Sequence, residues 1–152
     1  MARGKGAHRE AAGGSRTSRS YARKLNTRES RPVILVICEG ERTEPQYFEA
    51  WRKELGRSAG VTIIVKRGQR TRATPSKLVE RAQKESSQED ISLANGDEVW
   101  CVFDAEAPAN RSTESINQAV DLAEKMHFHV AVSNPCFEYW YLLHYRKTDQ
   151  PF

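Results

Sequence analysis

Six consecutive apolar residues, Val33–Cys38 (VILVIC), run directly into Glu39-Gly40-Glu41. A strand with one face in water alternates apolar and polar side chains, whereas an unbroken β-branched run belongs to a strand covered on both faces. A sheet with helices packed on each side meets that demand, so the run predicts a parallel α/β sheet. The switch to carboxylates puts charge at the carboxyl end of a buried strand, where open α/β sheets keep their functional crevice.

The rest of the chain repeats the pattern. VTIIVK at 61–66, EVWCVF at 98–103 and the segment 128–132 read as three further short strands. Between the first two, Thr43 is suited to cap a helix over 44–55 whose Tyr47, Phe48, Trp51 and Leu55 share one apolar face. Pro75 opens a second helix ending near residue 86, and Thr113 starts a third ending near residue 126. The aromatic segment 136–145 (CFEYWYLLHY) predicts a fourth, largely buried helix. Four rounds of strand and helix give an α/β Rossmann-like sandwich with a mostly parallel central sheet of about four strands.

Charge divides the chain in two. Residues 1–31 hold nine Lys or Arg against two acids, a net of +7, while 32–152 hold 15 bases against 18 acids, a net of −3. The first segment has almost no large apolar residues to offset its ordering entropy, so a disordered basic tail is expected there. Its spaced cations, Arg23 and Lys24 among them, suit contact with a phosphate backbone; a solubilising leader is the alternative. The remaining length suits one domain. No apolar stretch approaches the ~20 residues needed to cross a bilayer, and no apolar run follows the basic start, so a cytoplasmic protein is expected. Cys38, Cys101 and Cys136 are odd in number and widely spaced, which suits reduced thiols.

Three strand ends gather the chemistry. Glu39 and Gly40 follow the first strand, Asp104 and Glu106 the third, and Asn134 the fourth. If the first and third strands are neighbours, Glu39, Asp104 and Glu106 converge. Close carboxylates repel by ~4 kcal/mol per pair at an intermediate dielectric, which a hard divalent cation relieves. Gly40 permits a turn closed to other residues or a close approach to the backbone. Arg67, Arg70 and Arg72 form a basic loop that either grips phosphate or stays solvated. Glu138 lies either near the crevice or as a partner of a helix N-terminus, and His144 reads as structural. His127 and His129 would share one side of a strand, but no third zinc ligand is in view.

The succession ICEGERTEPQYF, VFDAE and SNPCFEYWYLLHY resembles the RloB-like family, predicted antiphage proteins with a Toprim-type domain. The resemblance spans roughly residues 31–148, and the order of three motifs makes it specific. It implies a Toprim-type fold over 32–152 in which Glu39 takes the family's glutamate role and Asp104 with Glu106 its Mg²⁺-binding pair. Mn²⁺ would serve the same ligands. Glu106 stands where Asp is usual, and its longer arm shifts the metal. Such proteins usually continue past the aromatic helix, so a domain incomplete at its C-terminus is expected. The resemblance further implies a metal-dependent nuclease or nuclease-like effector acting on DNA or RNA in phage defence beside an AAA or ABC-type ATPase. The alternative is a non-catalytic module that binds nucleic acid or a nucleotide and regulates that ATPase.

Overall fold

The computed structural model describes residues 31–68, 73–106 and 112–145. The basic tail, apart from Arg31, lies outside the described residues. The element order is β1 (Val33–Cys38), α1 (Thr43–Leu55), β2 (Thr62–Lys66), α2 (Pro75–Gln88), β3 (Glu98–Asp104), α3 (Thr113–Lys125), β4 (His129–Ser133) and α4 (Phe137–Leu143). All four strands are parallel, in the order β2-β1-β3-β4. The α/β arrangement expected from the periodicity is therefore the fold.

VILVIC occupies a central position because both of its faces are apolar. Leu35 and Ile37 join Val99, Cys101 and Phe103 under α2 and α3, while Val36, Cys38 and Val102 pack beneath Tyr47 of α1 and Phe137 of α4. Leu35 and Ile37 are fully buried, and burial of side chains this size stabilises by about 1.5–3 kcal/mol each. Lys66 closes the outer edge by ion pairs to Glu85 of α2 and to Glu89 just past its end, at 3.1 and 2.6 Å.

Handedness decides where the crevice falls. The β1-α1-β2 and β3-α3-β4 crossovers run in opposite directions along the sheet, so right-handed connections put α1 and α3 on opposite faces. The chain parts between the carboxyl ends of β1 and β3, the switch point of this sheet.

Four local expectations are corrected. Thr43 does not cap α1: Arg42 holds the cap position without a side-chain bond, and Thr43 Oγ1 donates to Glu138 Oε1 at 2.9 Å. A carboxylate acceptor makes the stronger, charge-assisted bond. Gly40 is not among the left-handed glycines, which are Gly56, Gly60 and Gly96; its missing side chain matters through close approach, as described below. His127 and His129 do not share a strand, because His127 sits in a turn with φ of 57° and β4 begins only at His129, whose ring stacks on Trp100 at 4.6 Å. Finally, α4 is not largely buried: Phe137 is, but Trp140, Leu142 and Tyr145 are 47, 49 and 82% exposed. Its seven residues make about two turns, of which Phe137 and Tyr141 face the core cluster and the other rings face outward.

Candidate functional site

Strand β1 delivers Glu39 rigidly, since the Glu39 N–H continues the ladder by donating to the Val102 carbonyl at 2.9 Å. Its carboxylate turns across the switch point and accepts from the Asp104 N–H at 3.3 Å. Asp104 ends β3 in register with Ser133 of β4, and the Ala105 N–H donates to the Ser133 carbonyl at 2.7 Å. Glu39 and Asp104 therefore meet where the sequence places them, because their strands are paired neighbours.

Two further carboxylates complete the crevice. Glu44, in the first turn of α1, is only 5% exposed and reaches back to accept from the Gly40 N–H at 3.1 Å. A Cβ on Gly40 would displace that carboxylate from its present place. Glu138, in the first turn of α4, accepts from Thr43 and so ties α4 to α1. Glu106 follows in the left-handed region, φ 55°, with its N–H donating to the Pro135 carbonyl at 2.9 Å. The charges that act on Asp104 come from Glu44, Glu138 and Glu39.

Electrostatics separates these acids. Burial, then repulsion from Glu44, Glu138 and Glu39, pushes Asp104 up to about 7. Burial likewise raises Glu44. Glu138 is lowered, chiefly by its own backbone N–H and then by the Thr43 hydroxyl and the Cys136 thiol, despite partial burial. Near neutral pH the crevice thus holds both proton-retaining and anionic carboxyl groups, the condition under which one can donate a proton and another accept one. Among the described residues, no three His, Cys, Asp or Glu side chains are gathered closely enough to enclose a metal ion as they stand.

The basic loop is only partly described. Arg67 forms a two-pronged ion pair with Glu49 of α1, at 3.0 and 3.2 Å, which holds the Glu49 carboxyl below its usual range. Arg70 and Arg72 lie outside the described residues, as do Arg23 and Lys24. Gly68 anchors the loop: its N–H donates to the Gly40 carbonyl at 2.8 Å, and a Cβ there would fall into the Glu39 backbone. Asn134 lines an adjoining aromatic groove of about 740 Å³, between α1, α4 and the β3–β4 side of the sheet. His144 is structural, since the Tyr47 hydroxyl bonds its Nε2 at 3.0 Å and the two rings stack.

Neither Glu44 nor the groove is apparent in the sequence. Glu44 reads as an ordinary helix-start acid; the one signal of its role is a glycine four residues earlier. Tyr47, Phe48 and Trp51 read as a helix core face, although Trp51 is half exposed.

The family model for RloB-like proteins matches residues 34–152, which include both strand ends and the aromatic helix. The chain belongs to the RloB-like family. Within this RloB-like chain the matched region carries all four crevice carboxylates and every residue that lines the groove. No curated protein and no solved structure matches it significantly.

Proposed function

We propose that this RloB-like chain is a Mg²⁺-dependent nuclease, or nuclease-like effector, acting on phosphodiesters of DNA or RNA. The observation that carries the proposal is the gathering of Glu39, Glu44, Asp104 and Glu138 at the paired carboxyl ends of β1 and β3. So much negative charge at a partly buried sheet edge has a strong demand for a cation, and its oxygen-only donors suit Mg²⁺ or Mn²⁺. Asp104 is the central holder, with Glu106 as the family resemblance implies or Glu138 as its place in the crevice suggests. Those side chains leave their present hydrogen bonds to do so, since none is gathered around a ready cavity.

A bound divalent ion supplies charge neutralisation at the scissile phosphate and at the leaving oxygen. The chain's own groups do the rest. Glu39, carried on a rigid strand, accepts a proton from the attacking water. Asp104, held up by burial and by Glu44, Glu138 and Glu39, gives up its proton as the cation binds. The +7 charge of residues 1–31 and the 67–72 loop attract the backbone of the substrate without reading its sequence. The resemblance extends the proposal to phage defence, in partnership with an AAA or ABC-type ATPase.

The test is a cleavage panel with Mg²⁺ or Mn²⁺ over plasmid, single-stranded DNA and RNA, with the ATPase present and absent. Cutting abolished by Glu39→Ala and Asp104→Ala is the expected result; no cutting in any arm, or cutting indifferent to both variants, overturns it. A second reading, a non-catalytic module that binds nucleic acid or a nucleotide to regulate the ATPase, is favoured by the internal hydrogen bonds of Glu39, Glu44 and Glu138. Binding of metal and nucleic acid without turnover would select it.

A further inference from the structure

All three tryptophans of the chain, Trp51, Trp100 and Trp140, line one groove between α1, α4 and the β3–β4 side of the sheet. Trp51 and Trp140 keep 50 and 47% of their surface exposed there. These rings are not loose. The Trp140 Nε1–H donates to the Tyr47 hydroxyl at 3.3 Å, and that hydroxyl bonds His144 at 3.0 Å, so one polar chain ties Trp140 to α1. Trp100 is held by a bond from its Nε1–H to Glu98 at 2.7 Å and by the stacked His129 ring.

The groove adjoins the carboxylate crevice, since the groove residue Phe137 gives a backbone hydrogen bond to Asp104. Ser133, in register with Asp104, and Asn134 line one end, and the groove residues Phe137 and Tyr139 flank Glu138. With the proposed divalent cation at the carboxylates, a ligand that fills both places has a flat aromatic ring joined to an anionic group. A nucleotide unit has that form, and fixed aromatic faces stack on any base regardless of sequence. The Asn134 amide offers a donor and an acceptor to a base edge. A volume of about 740 Å³ accommodates a base with its sugar.

We infer that the groove receives an unstacked nucleobase of a single-stranded nucleic acid whose phosphate lies at the Asp104 crevice, an inference that rests on the nuclease or nucleic-acid-binding reading above. A base inside a duplex is stacked on its neighbours and enters only if it is flipped out. Single strands, loops and ends are therefore the preferred substrates.

Because every tryptophan lines the groove, intrinsic fluorescence reports on it directly. The full chain is titrated, with Ca²⁺ as a metal that fills the oxygen site, against a short oligothymidylate, an abasic strand of equal length, thymidine monophosphate and a duplex. The expected result is quenching by oligothymidylate with affinity at least about tenfold above the abasic strand and the duplex, reduced about tenfold in Trp140→Leu and Trp51→Leu. Both positions are half exposed, so the variants keep the fold, which far-UV circular dichroism checks. Equal affinity for the abasic strand, or unchanged affinity in both variants, overturns the inference. So does equal affinity for the mononucleotide, which would make the ligand a free nucleotide, or self-quenching that grows with protein concentration alone, which would mark a second copy in the groove. Cutting that depends on Asp104 but ignores base loss would overturn the groove and leave the nuclease; base-dependent quenching without cutting would do the reverse.

Discussion

Replacing Asp104 by Asn removes a carboxyl group that the folded protein resists ionising, and the consequence for stability has a definite sign. The folded value of about 7 lies above the ordinary 3.8, so the folded state binds this proton more tightly than the unfolded state does. Its contribution is fully present below pH 3.8 and is lost as pH rises through about 7. The full loss corresponds to about 4 kcal/mol, of which roughly 2 kcal/mol or a little more falls between pH 5 and pH 8. In metal-free buffer the amide introduced by Asp104→Asn has nothing to ionise, so the variant should gain on the parent by about 2 kcal/mol across that window. For an ordered core of about a hundred residues that is roughly 8 °C in Tm. Thermal melts of D104N and parent with a chelator, at half-unit pH steps, measure the widening gap. Adding Mg²⁺ at pH 8 should then raise the parent's Tm and leave that of the variant unmoved. A gap constant with pH, or a variant less stable than the parent at pH 8, would refute the burial-and-repulsion account of Asp104.

Other consequences follow from individual contacts. Glu138→Gln takes a negative neighbour from Asp104, so Asp104 should titrate lower than about 7; carbon-detected NMR of the Asp104 carboxyl reads this, and an unchanged midpoint would show that Glu138 lies too far away. Gly68→Ala drives a Cβ into the Glu39 backbone, so a loss of at least about 2 kcal/mol by urea denaturation is expected, with metal-dependent Tm gain weakened as Glu39 shifts. A parent-like midpoint would mean the loop can move aside. Cys38 and Cys101 are buried with thiols pushed up by desolvation, whereas Cys136 is half-buried. Mass spectrometry after brief native alkylation should therefore find at most one modified cysteine, and three after unfolding; native labelling at Cys38 or Cys101 would contradict the packing.

The contrast between Glu39 and Glu44 shows what kind of information lies along the chain. Glu39 is legible because the unbroken apolar run before it can only be a strand buried on two faces, and the end of such a strand is a known place for function. Asp104 follows by the same logic from EVWCVF. Glu44 and Glu138 start helices, where acids are common for local reasons, and apart from Gly40 before Glu44 little in their neighbourhood distinguishes a dipole partner from a member of a crevice. Thr43 has the composition of a cap, yet the approach of α4 offers its hydroxyl a carboxylate instead.

By itself, then, the order of apolar runs determined four strands alternating with four helices, a parallel sheet, and the ends at which Glu39 and Asp104 must stand, because burial on two faces and helical periodicity are properties of local composition. Tertiary structure alone decided that β1 and β3 are neighbours, that Glu44 and Glu138 join their carboxylates, and that three tryptophans face one open groove. Those outcomes depend on the hand of the crossovers and on the shortness of α4, and Trp140 and Trp51 stay half exposed in the same groove. Relations between segments far apart in the chain carry no periodicity of their own.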